Sequence, residues 1–304
     1  MINEEYNYDD IKDYLINNID LIIVGFRGED ERQKYFFDEW NNLEKDILAL
    51  KVKDDVFLEY SFISRKNTVC EGSIDLCVGT PKVLQYFGVG DKSILMDLSS
   101  LDHVLIMFLT KQLLTNITPK ALFASYIRPE KYNNKEETEG FGLSEKVRSI
   151  EAVPGFAKRE CDNQTLCAFL GFEGVRIKNV LETVHSIGRF VPIVAFPSGD
   201  PQWYNVTILN NMDMLQSEAR DVAIHKCFSE GIFSAVNLLE STISQDEKIV
   251  LAPLGTRPHS MACAIFACRR QNARIIYDFV VENENRAVGI SNITIYHLSS
   301  FIKN

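Results

Sequence analysis

Short apolar runs alternate with amphipathic segments along most of the chain. The apolar runs are rich in Val, Ile, Leu and Phe and predict buried strands at 21–26, 56–63, 93–98, 121–126, 145–152, 165–172, 191–196, 248–253, 273–279 and 292–298. The segments between them predict helices at 31–50, 80–88, 101–115, 174–186, 257–270 and, as a broken helix, 211–241. Strands and helices that alternate in this way are typical of mostly parallel sheets covered by helices. We therefore expect an α/β fold of the Rossmann-like class.

The same short pattern occurs in both halves of the chain. An apolar strand ends in Gly-Phe, and an acidic residue and an arginine then follow with two residues between them. The two copies of this acidic–arginine pair are Glu29 with Arg32 and Glu173 with Arg176. A pattern that recurs in the same place within each half indicates internal duplication.

A longer block repeats without a gap. Residues 94–103 align with residues 250–259, and each copy leads from an apolar strand through a turn and a histidine into an apolar helix. We therefore expect two duplicated Rossmann-like units, at 19–153 and 165–304, preceded by an N-terminal helical extension at 1–18.

Composition and charge limit the classes of protein to which the chain can belong. Its 304 residues are 46% hydrophobic and 24% charged, which is typical of globular proteins and excludes wholesale disorder. No apolar run reaches the ~18 residues that a membrane span needs, and the acidic start lacks the apolar core of a signal peptide. The formal net charge of −10 argues against general binding of duplex DNA.

The seven cysteines are scattered and do not form a metal-binding pattern. The sequence contains no Cys-x-x-Cys pair and no Cys/His cluster at zinc spacing, so we expect no structural metal. An odd number of cysteines without a secretory signal indicates reduced thiols and hence a cytoplasmic location.

The turn Leu-Gly-Thr-Arg-Pro-His at 254–259 is the strongest candidate for a ligand site. Ligands of open α/β sheets bind beyond the carboxyl ends of the strands, where the N–H groups of helix starts favour an anion. Gly255 allows close backbone approach, Thr256 supplies a hydroxyl, and Arg257 could bind a phosphate or carboxylate with two hydrogen bonds. His259 could transfer a proton near neutral pH. The alternative is a capped helix start, and in either case we expect the Arg257 side chain to be largely exposed without ligand.

The equivalent turn of the first half has a weaker signal. It lacks the glycine and the arginine, and Ser99 or Ser100 predicts an ordinary helix cap. His103 lies in an apolar helix, where a packing role is the alternative to a second ligand site.

Three other positions have both a structural and a functional interpretation. Glu173 and Arg176 could form an exposed ion pair on one helix face, or they could bind a ribose and a phosphate. Trp203 could stack on a base, or it could fill a hydrophobic space beneath a long loop.

Common catalytic and nucleotide-binding motifs do not occur in the sequence. It contains no Gly-x-Gly-x-x-Gly, no Walker P-loop and no Gly-x-Ser-x-Gly elbow. This argues against a conventional dehydrogenase, ATPase or esterase. A triad of Ser198, Asp200 and His259 therefore has no supporting motif.

The segment 248–270 resembles the ligand-binding turn of Rossmann-like nucleotide sensor domains of the CRISPR-associated Rossmann fold type, which carry a comparable Gly-Thr-Lys turn. The resemblance implies binding of a nucleotide or short oligonucleotide in bacterial defence or stress response. It extends only to Gly255, Thr256 and Arg257. The chain departs from these domains because it has two α/β halves and no recognisable nuclease tail.

The sequence leaves three functions open. The first is a cytosolic sensor or regulatory subunit that binds an anionic, phosphorylated ligand such as a nucleotide, through Arg176, Gly255, Thr256, Arg257 and Trp203. The second is a nucleotide-processing hydrolase or glycosidase with Glu173 and His259 as its acid–base pair. The third is a protein-interaction subunit, either as a homo-oligomer or with another protein. The sequence identifies no cofactor.

Overall fold

The computed structural model describes residues 4–28, 30–132, 144–147, 149–218, 223–282 and 287–299. The chain forms two compact units. Unit 1 comprises residues 1–131 and 287–304, and unit 2 comprises residues 132–286. Unit 2 is therefore an insertion between two segments of unit 1.

Unit 1 is built on one eight-stranded sheet. Its strands are β1 (Glu5–Asn7), β2 (Leu21–Gly25), β3 (Asp46–Lys53), β4 (Phe57–Ser64), β5 (Asn67–Asp75), β6 (Ser93–Asp97), β7 (Ala121–Arg128) and, late in the chain, β18 (Asn292–His297). The helices are α1 (Tyr8–Asn18), α2 (Glu31–Asn42), α3 (Leu76–Tyr86) and α4 (His103–Lys111), with a 3-10 turn at Val89–Asp91 and a π-helical turn at Gln112–Asn116. The strand order is β1-β18-β7-β6-β2-β3-β4-β5, in which β7, β6, β2 and β3 run parallel.

Unit 2 contains a six-stranded sheet. Within unit 2 the strands are β9 (Ser144–Val147), β10 (Glu151–Ala152), β11 (Gln164–Leu170), β12 (Ile187–Ala195), β13 (His225–Cys227), β14 (Ile249–Pro253), β15 (Ala273–Tyr277) and β16 (Val280–Glu282); β8 (Lys131–Tyr132) spans the boundary of the units, and β17 (Ala287–Val288) begins the second segment of unit 1. The helices are α5 (Gly174–Thr183), α6 (Pro201–Asn210), α7 (Met212–Glu218), α8 (Ile232–Thr242) and α9 (Arg257–Arg269). The strand order is β10-β15-β14-β11-β12-β13, while β9 pairs with β16 and β8 with β17.

The two sheets share the order of five strands. The series β18-β7-β6-β2-β3 of unit 1 corresponds to β10-β15-β14-β11-β12 of unit 2, and in both the first strand is antiparallel to a run of four parallel strands. His103 and His259 lie on helices that follow the equivalent strands β6 and β14, and Arg32 and Arg176 lie on helices that follow β2 and β11. The expected pair of duplicated Rossmann-like α/β units is confirmed. Glu29 lies outside the described residues.

The glycine of each repeated Gly-Phe pair has the same structural reason. A Cβ atom on Gly25 would lie 2.0 Å from the backbone oxygen of Ser100, and one on Gly171 would lie 2.3 Å from the backbone oxygen of Leu254. Gly25 lets the end of β2 touch the turn that follows β6, and Gly171 lets the end of β11 touch the turn that follows β14.

The parallel strands are buried on both faces, as expected for strands covered by helices on each side. All five residues of β2, of β14 and of β15 are buried. No helix in the described part of the chain is long and apolar enough to cross a membrane.

Several element boundaries differ from the sequence predictions. The helix predicted at 31–50 ends at Asn42, because Glu44 takes a left-handed backbone conformation with φ of 58° and the apolar run after it forms the buried strand β3. The segment 211–241, predicted as a broken helix, also contains the short strand β13. Residues 292–297 pair with β7 in the sheet of unit 1, so the division into units differs from the predicted boundaries 19–153 and 165–304.

Candidate functional site

The predicted site residues of the second half lie around the carboxyl edge of the unit 2 sheet. The chain runs from β11 outward to β12 and β13 and then returns to place β14 on the other side of β11. The strand order therefore reverses between β11 and β14, which is where open α/β sheets bind their ligands. Gly171 follows β11 and Leu254 follows β14 at this point, in close backbone contact.

Three helices begin at this edge without a side-chain cap. They are α5, α8 and α9, which follow the parallel strands β11, β13 and β14. None of the three has a capping side-chain hydrogen bond or an acidic residue in its first turn. In contrast, α6 begins at the same edge with a cap, since Asp200 accepts a hydrogen bond from the backbone of Gln202 at 2.8 Å. Each helix start carries about half a positive charge, which favours an anion, although Glu173 at the cap position of α5 and the buried Glu230 just before α8 add negative charge at this edge.

Thr256 occupies the cap position of α9 but does not cap it. Its hydroxyl donates a 2.6 Å hydrogen bond to the backbone oxygen of Ser229, in the loop that follows β13. This bond holds the β13 loop against the start of α9. Pro258 occupies the first turn of the helix, as predicted.

His259 is enclosed beside Gly255. The side chain is 1% exposed, its ring lies 4.7 Å from the ring of Phe169, and Nε2 lies 3.0 Å from the backbone oxygen of Phe228. Burial lowers the pKa of His259 to about 4, so the ring is neutral at physiological pH. Since a carbonyl only accepts, Nε2 must carry the proton, and Nδ1 is left as an acceptor.

Nδ1 of His259 is a buried acceptor without a hydrogen-bond partner. It faces Gly255, where a Cβ atom would lie only 3.2 Å from it. Buried polar atoms are nearly always paired, so an unpaired one marks a position that a ligand group or an ordered water fills. The same enclosure makes His259 poorly suited to the acid–base role of the hydrolase alternative, because its neutral form persists far below neutral pH.

Arg257 differs from the sequence expectation. Its side chain is 5% exposed, although we expected it to be largely exposed without ligand. The reason is that the whole of α9 from Arg257 to Ala267 is buried, which the short apolar stretch after the turn did not reveal.

Arg176 forms a buried ion pair with Asp278, which directly follows β15. The Nε–Oδ2 and Nη2–Oδ1 distances are 2.5 and 2.6 Å, and Nη1 donates to the backbone oxygen of Leu254 at 3.2 Å. Burial by itself lowers the pKa of the Arg176 guanidinium, but nearby Tyr277, Asp278 and Glu173 raise it overall. Glu173 is the half-buried residue that precedes α5, and it influences Arg176 electrostatically. The spacing suggested that Arg176 pairs with Glu173 on an exposed helix face. Instead, Arg176 is buried and is held by Asp278.

Trp203 lies in helix α6 rather than in a long loop, and its side chain is 8% exposed. Its ring packs edge-on against Tyr132 at 4.8 Å and against Phe172 at 6.5 Å. These contacts favour its structural interpretation as a hydrophobic packing residue.

The aromatic residue that is open at this edge is Phe196, which sequence reasoning passed over. Phe196 directly follows β12 and is 42% exposed. The Lys226 ammonium lies 4.7 Å from its ring and 5.2 Å from the ring of Tyr204, and the two rings are 5.1 Å apart. The available signal was the position of Phe196 at a strand end, which matches that of the repeated Gly-Phe pairs.

The equivalent turn of unit 1 is closed by internal hydrogen bonds. The buried carboxylate of Asp97 accepts from the Ser99 backbone at 3.0 Å and from the hydroxyls of Ser100 and Ser125 at 2.6 and 3.2 Å. The predicted helix cap is wrong, because Ser100 bonds Asp97 and Ser99 accepts from the backbone of Ile127. Unit 2 has Pro253 and Gly255 where unit 1 has Asp97 and Ser99, so its side chains cannot form this network.

Comparisons with known proteins add no relative to this description. No protein-family model matches the chain, and no curated protein or solved structure matches it significantly. Among the described residues, no group of three or more His, Cys, Asp or Glu side chains is placed to hold a metal ion.

Proposed function

We propose that unit 2 binds a phosphorylated ligand of the nucleotide class at the carboxyl edge of its sheet, and that the protein acts as a cytosolic sensor or regulatory subunit in bacterial defence or stress response. The observation that carries the proposal is the group of three helix starts, α5, α8 and α9, that lack side-chain caps at one sheet edge. Their backbone N–H groups and dipoles favour a phosphate there.

The turn at Gly255 and Thr256 supports the position of the phosphate. A Cβ atom on Gly255 would point at the buried, unpaired Nδ1 of His259 from 3.2 Å, so the glycine lets the turn pack closely over this acceptor. Because His259 is neutral, Nδ1 accepts a hydrogen bond and does not compete with the helix starts for the negative charge. A ligand that also carries an N–H or O–H donor fits this arrangement.

Phe196 supports a base as the other part of the ligand. Bases stack on exposed aromatic rings without regard to sequence, and a neighbouring lysine adds attraction. Phe196 follows β12 and Gly255 follows β14, with β11 between them. Two strand spacings, about 10 Å, therefore separate the ring from the helix start.

Calorimetric titration of the full chain tests the proposal. The ligands are adenine and guanine nucleotides with one to three phosphates, cyclic dinucleotides, the nucleosides without phosphate, and inorganic phosphate. We expect one or more phosphorylated nucleotides to bind, and the corresponding nucleoside to bind at least tenfold more weakly. No binding of any phosphorylated ligand at millimolar concentration would refute the proposal.

Two variants locate the binding. Arg257→Lys keeps the charge but removes the planar fork, and Gly255→Ala places a methyl group 3.2 Å from His259 Nδ1. We expect each variant to bind the nucleotide about tenfold more weakly than wild type. The matched control is Arg189→Lys, at the amino end of β12, where Arg189 pairs with Glu247. Equal weakening by the control would place the ligand elsewhere.

A further inference from the structure

Unit 1 contains a cavity lined by residues between 60 and 87, far in sequence from the proposed site in unit 2. It lies between helix α3 and the hairpin of β4 and β5, and its volume is about 500 Å³. Val78, Lys82 and Tyr86 line it from α3 at intervals of one helical turn, and Tyr60 and Cys70 line it from the strands. Pockets for small molecules typically have volumes of this size.

Two glycines shape the walls of the cavity. A Cβ atom on Gly72, inside β5, would lie 2.7 Å from the hydroxyl oxygen of Tyr60 and 2.9 Å from its ring. A Cβ atom on Gly79, inside α3, would lie 2.3 Å from the side chain of Ile74. Glycine is unfavourable in the interior of both strands and helices. Here it lets the Tyr60 ring lie across β5 and brings α3 close to the sheet.

The walls of the cavity are aromatic. Phe87 packs against Tyr60 at 6.2 Å and against Tyr86 at 5.0 Å between ring centroids. Tyr86 is 78% exposed, which is the largest exposure among the exposed large hydrophobic residues of the described chain. Aromatic rings stack on flat apolar groups in offset or edge-on arrangements.

The charges of the cavity are separated along α3. Lys82 is exposed and has no ion pair or hydrogen bond to any described residue. The carboxylate of Asp75 lies at the start of the helix, about 10 Å away along its axis, and accepts a 2.7 Å hydrogen bond from the backbone of Val78. The Lys82 ammonium is therefore the charged group that is available to bind a ligand.

We propose that this cavity binds a flat, apolar ring compound that carries one anionic group. The rings of Tyr60 and Tyr86 contact the ring system, and Lys82 pairs with the anion. The site belongs wholly to unit 1 and is independent of the nucleotide site proposed for unit 2.

The test uses the fluorescent probe 1-anilinonaphthalene-8-sulfonate, which is a flat aromatic anion, and the alkylation of Cys70 by iodoacetamide. Cys70 lines the cavity, whereas Cys77 is exposed on the same helix–strand unit and does not line it. Mass spectrometry of the labelled peptides gives both rates in one sample. We expect the saturating probe to slow alkylation of Cys70 at least fivefold and to leave the rate of Cys77 unchanged. An unchanged rate of Cys70, or equal slowing of both thiols, would overturn the proposal.

Substitutions at the surface of the cavity test the role of the charge. Lys82→Gln should weaken binding of the probe at least threefold and should remove most of the salt dependence of the probe's affinity. Lys51→Gln, an exposed lysine of β3, is the matched control and should leave probe binding unchanged. Equal affinities of the two variants would overturn the proposal. So would protection of Cys70 that grows with protein concentration without any probe, since it would assign the cavity to a second copy of the chain.

Discussion

Arg176 donates two hydrogen bonds to Asp278, a residue 102 positions later in the chain, and a third to the backbone of Leu254. These three residues follow β11, β15 and β14, so one guanidinium joins the carboxyl ends of three parallel strands. Asp278 is fully buried and Arg176 is 6% exposed. At least three of the five N–H groups of Arg176 are therefore occupied within the protein, and they hold in place the edge at which we propose that the ligand binds.

Removal of Asp278 should destabilise unit 2 strongly. Asp278→Ala leaves the Arg176 charge buried and unpaired, for which we expect a loss of about 3–5 kcal/mol in the free energy of unfolding. The double variant Arg176→Met/Asp278→Leu should be much closer to wild type, because it removes both charges. Denaturant unfolding followed by tryptophan fluorescence measures the free energy of unfolding of both variants. Trp203, the only tryptophan of unit 2, reports the unfolding of this unit.

The matched control is an exposed pair of the same residue types. Arg27 and Asp38 also form two hydrogen bonds, at 2.7 and 3.0 Å, but their side chains are 54% and 41% exposed. Asp38→Ala should cost no more than ~1 kcal/mol. Similar losses from the two aspartates would contradict the role that we assign to burial.

Stability should fall in mild acid because of His259. The pKa of its ring is lowered to about 4 by burial in the folded protein, against 6.5 in the unfolded chain. Below pH 6.5 the unfolded state takes up a proton that the folded state does not. The contribution of His259 to stability is therefore fully present above this pH and is lost as the pH falls toward 4. The expected loss from this group is about 3 kcal/mol.

A variant that lacks only His259 isolates this effect. The free energy of unfolding of His259→Gln should depend less steeply on pH between 6.5 and 4 than that of wild type. His185→Gln removes an exposed histidine of the same unit and should keep the wild-type dependence. Identical pH profiles for His259→Gln and wild type would mean that the ring is not held neutral.

The glycines of the repeated Gly-Phe pairs should not tolerate alanine. Gly25→Ala and Gly171→Ala place a methyl group 2.0 and 2.3 Å from backbone oxygens, and backbone cannot yield as a flexible side chain does. We expect each to cost about 1–3 kcal/mol or more, as overpacking does. Gly90→Ala is the control, since its nearest neighbour would be 3.6 Å away. Thermal unfolding compares the three, and equal melting temperatures would contradict the close approach.

The sequence predicted what is local and periodic. The repeated turns identified the duplication, because the same residue types occur at equivalent points of the two sheets. The counterparts of Gly171, Arg176 and His259 are Gly25, Arg32 and His103. The end of α2 was misjudged because the apolar run at 47–50 suits a buried helix as well as a strand. The partner of Arg176 could not be predicted, since Asp278 has no local relation to it and only the order of the strands brings the two together.

The choice between aromatic residues was beyond sequence reasoning for a related reason. Trp203 and Phe196 lie in one segment after β12, and both could stack on a base. Asp200 caps a helix that begins at Pro201, and this helix turns Trp203 toward Tyr132 and Phe172. Phe196, before the helix, remains at the open edge.

Phe196→Ala should therefore separate ligand affinity from stability. Because more than half of the side chain is buried against Tyr204 and Lys226, its loss should cost about 1–2 kcal/mol in the free energy of unfolding, which leaves unit 2 folded. Base stacking contributes ~1–3 kcal/mol per base, which corresponds to roughly a five- to 150-fold loss of nucleotide affinity. Leu209→Ala, on α6 of the same unit and 67% exposed, is the control for removal of exposed apolar surface. Calorimetric titration should show weaker binding of nucleotide but unchanged binding of inorganic phosphate to Phe196→Ala. If the variant binds nucleotide as wild type does, Phe196 does not contact the base; if it loses phosphate as well, the ring supports the helix starts instead of the base.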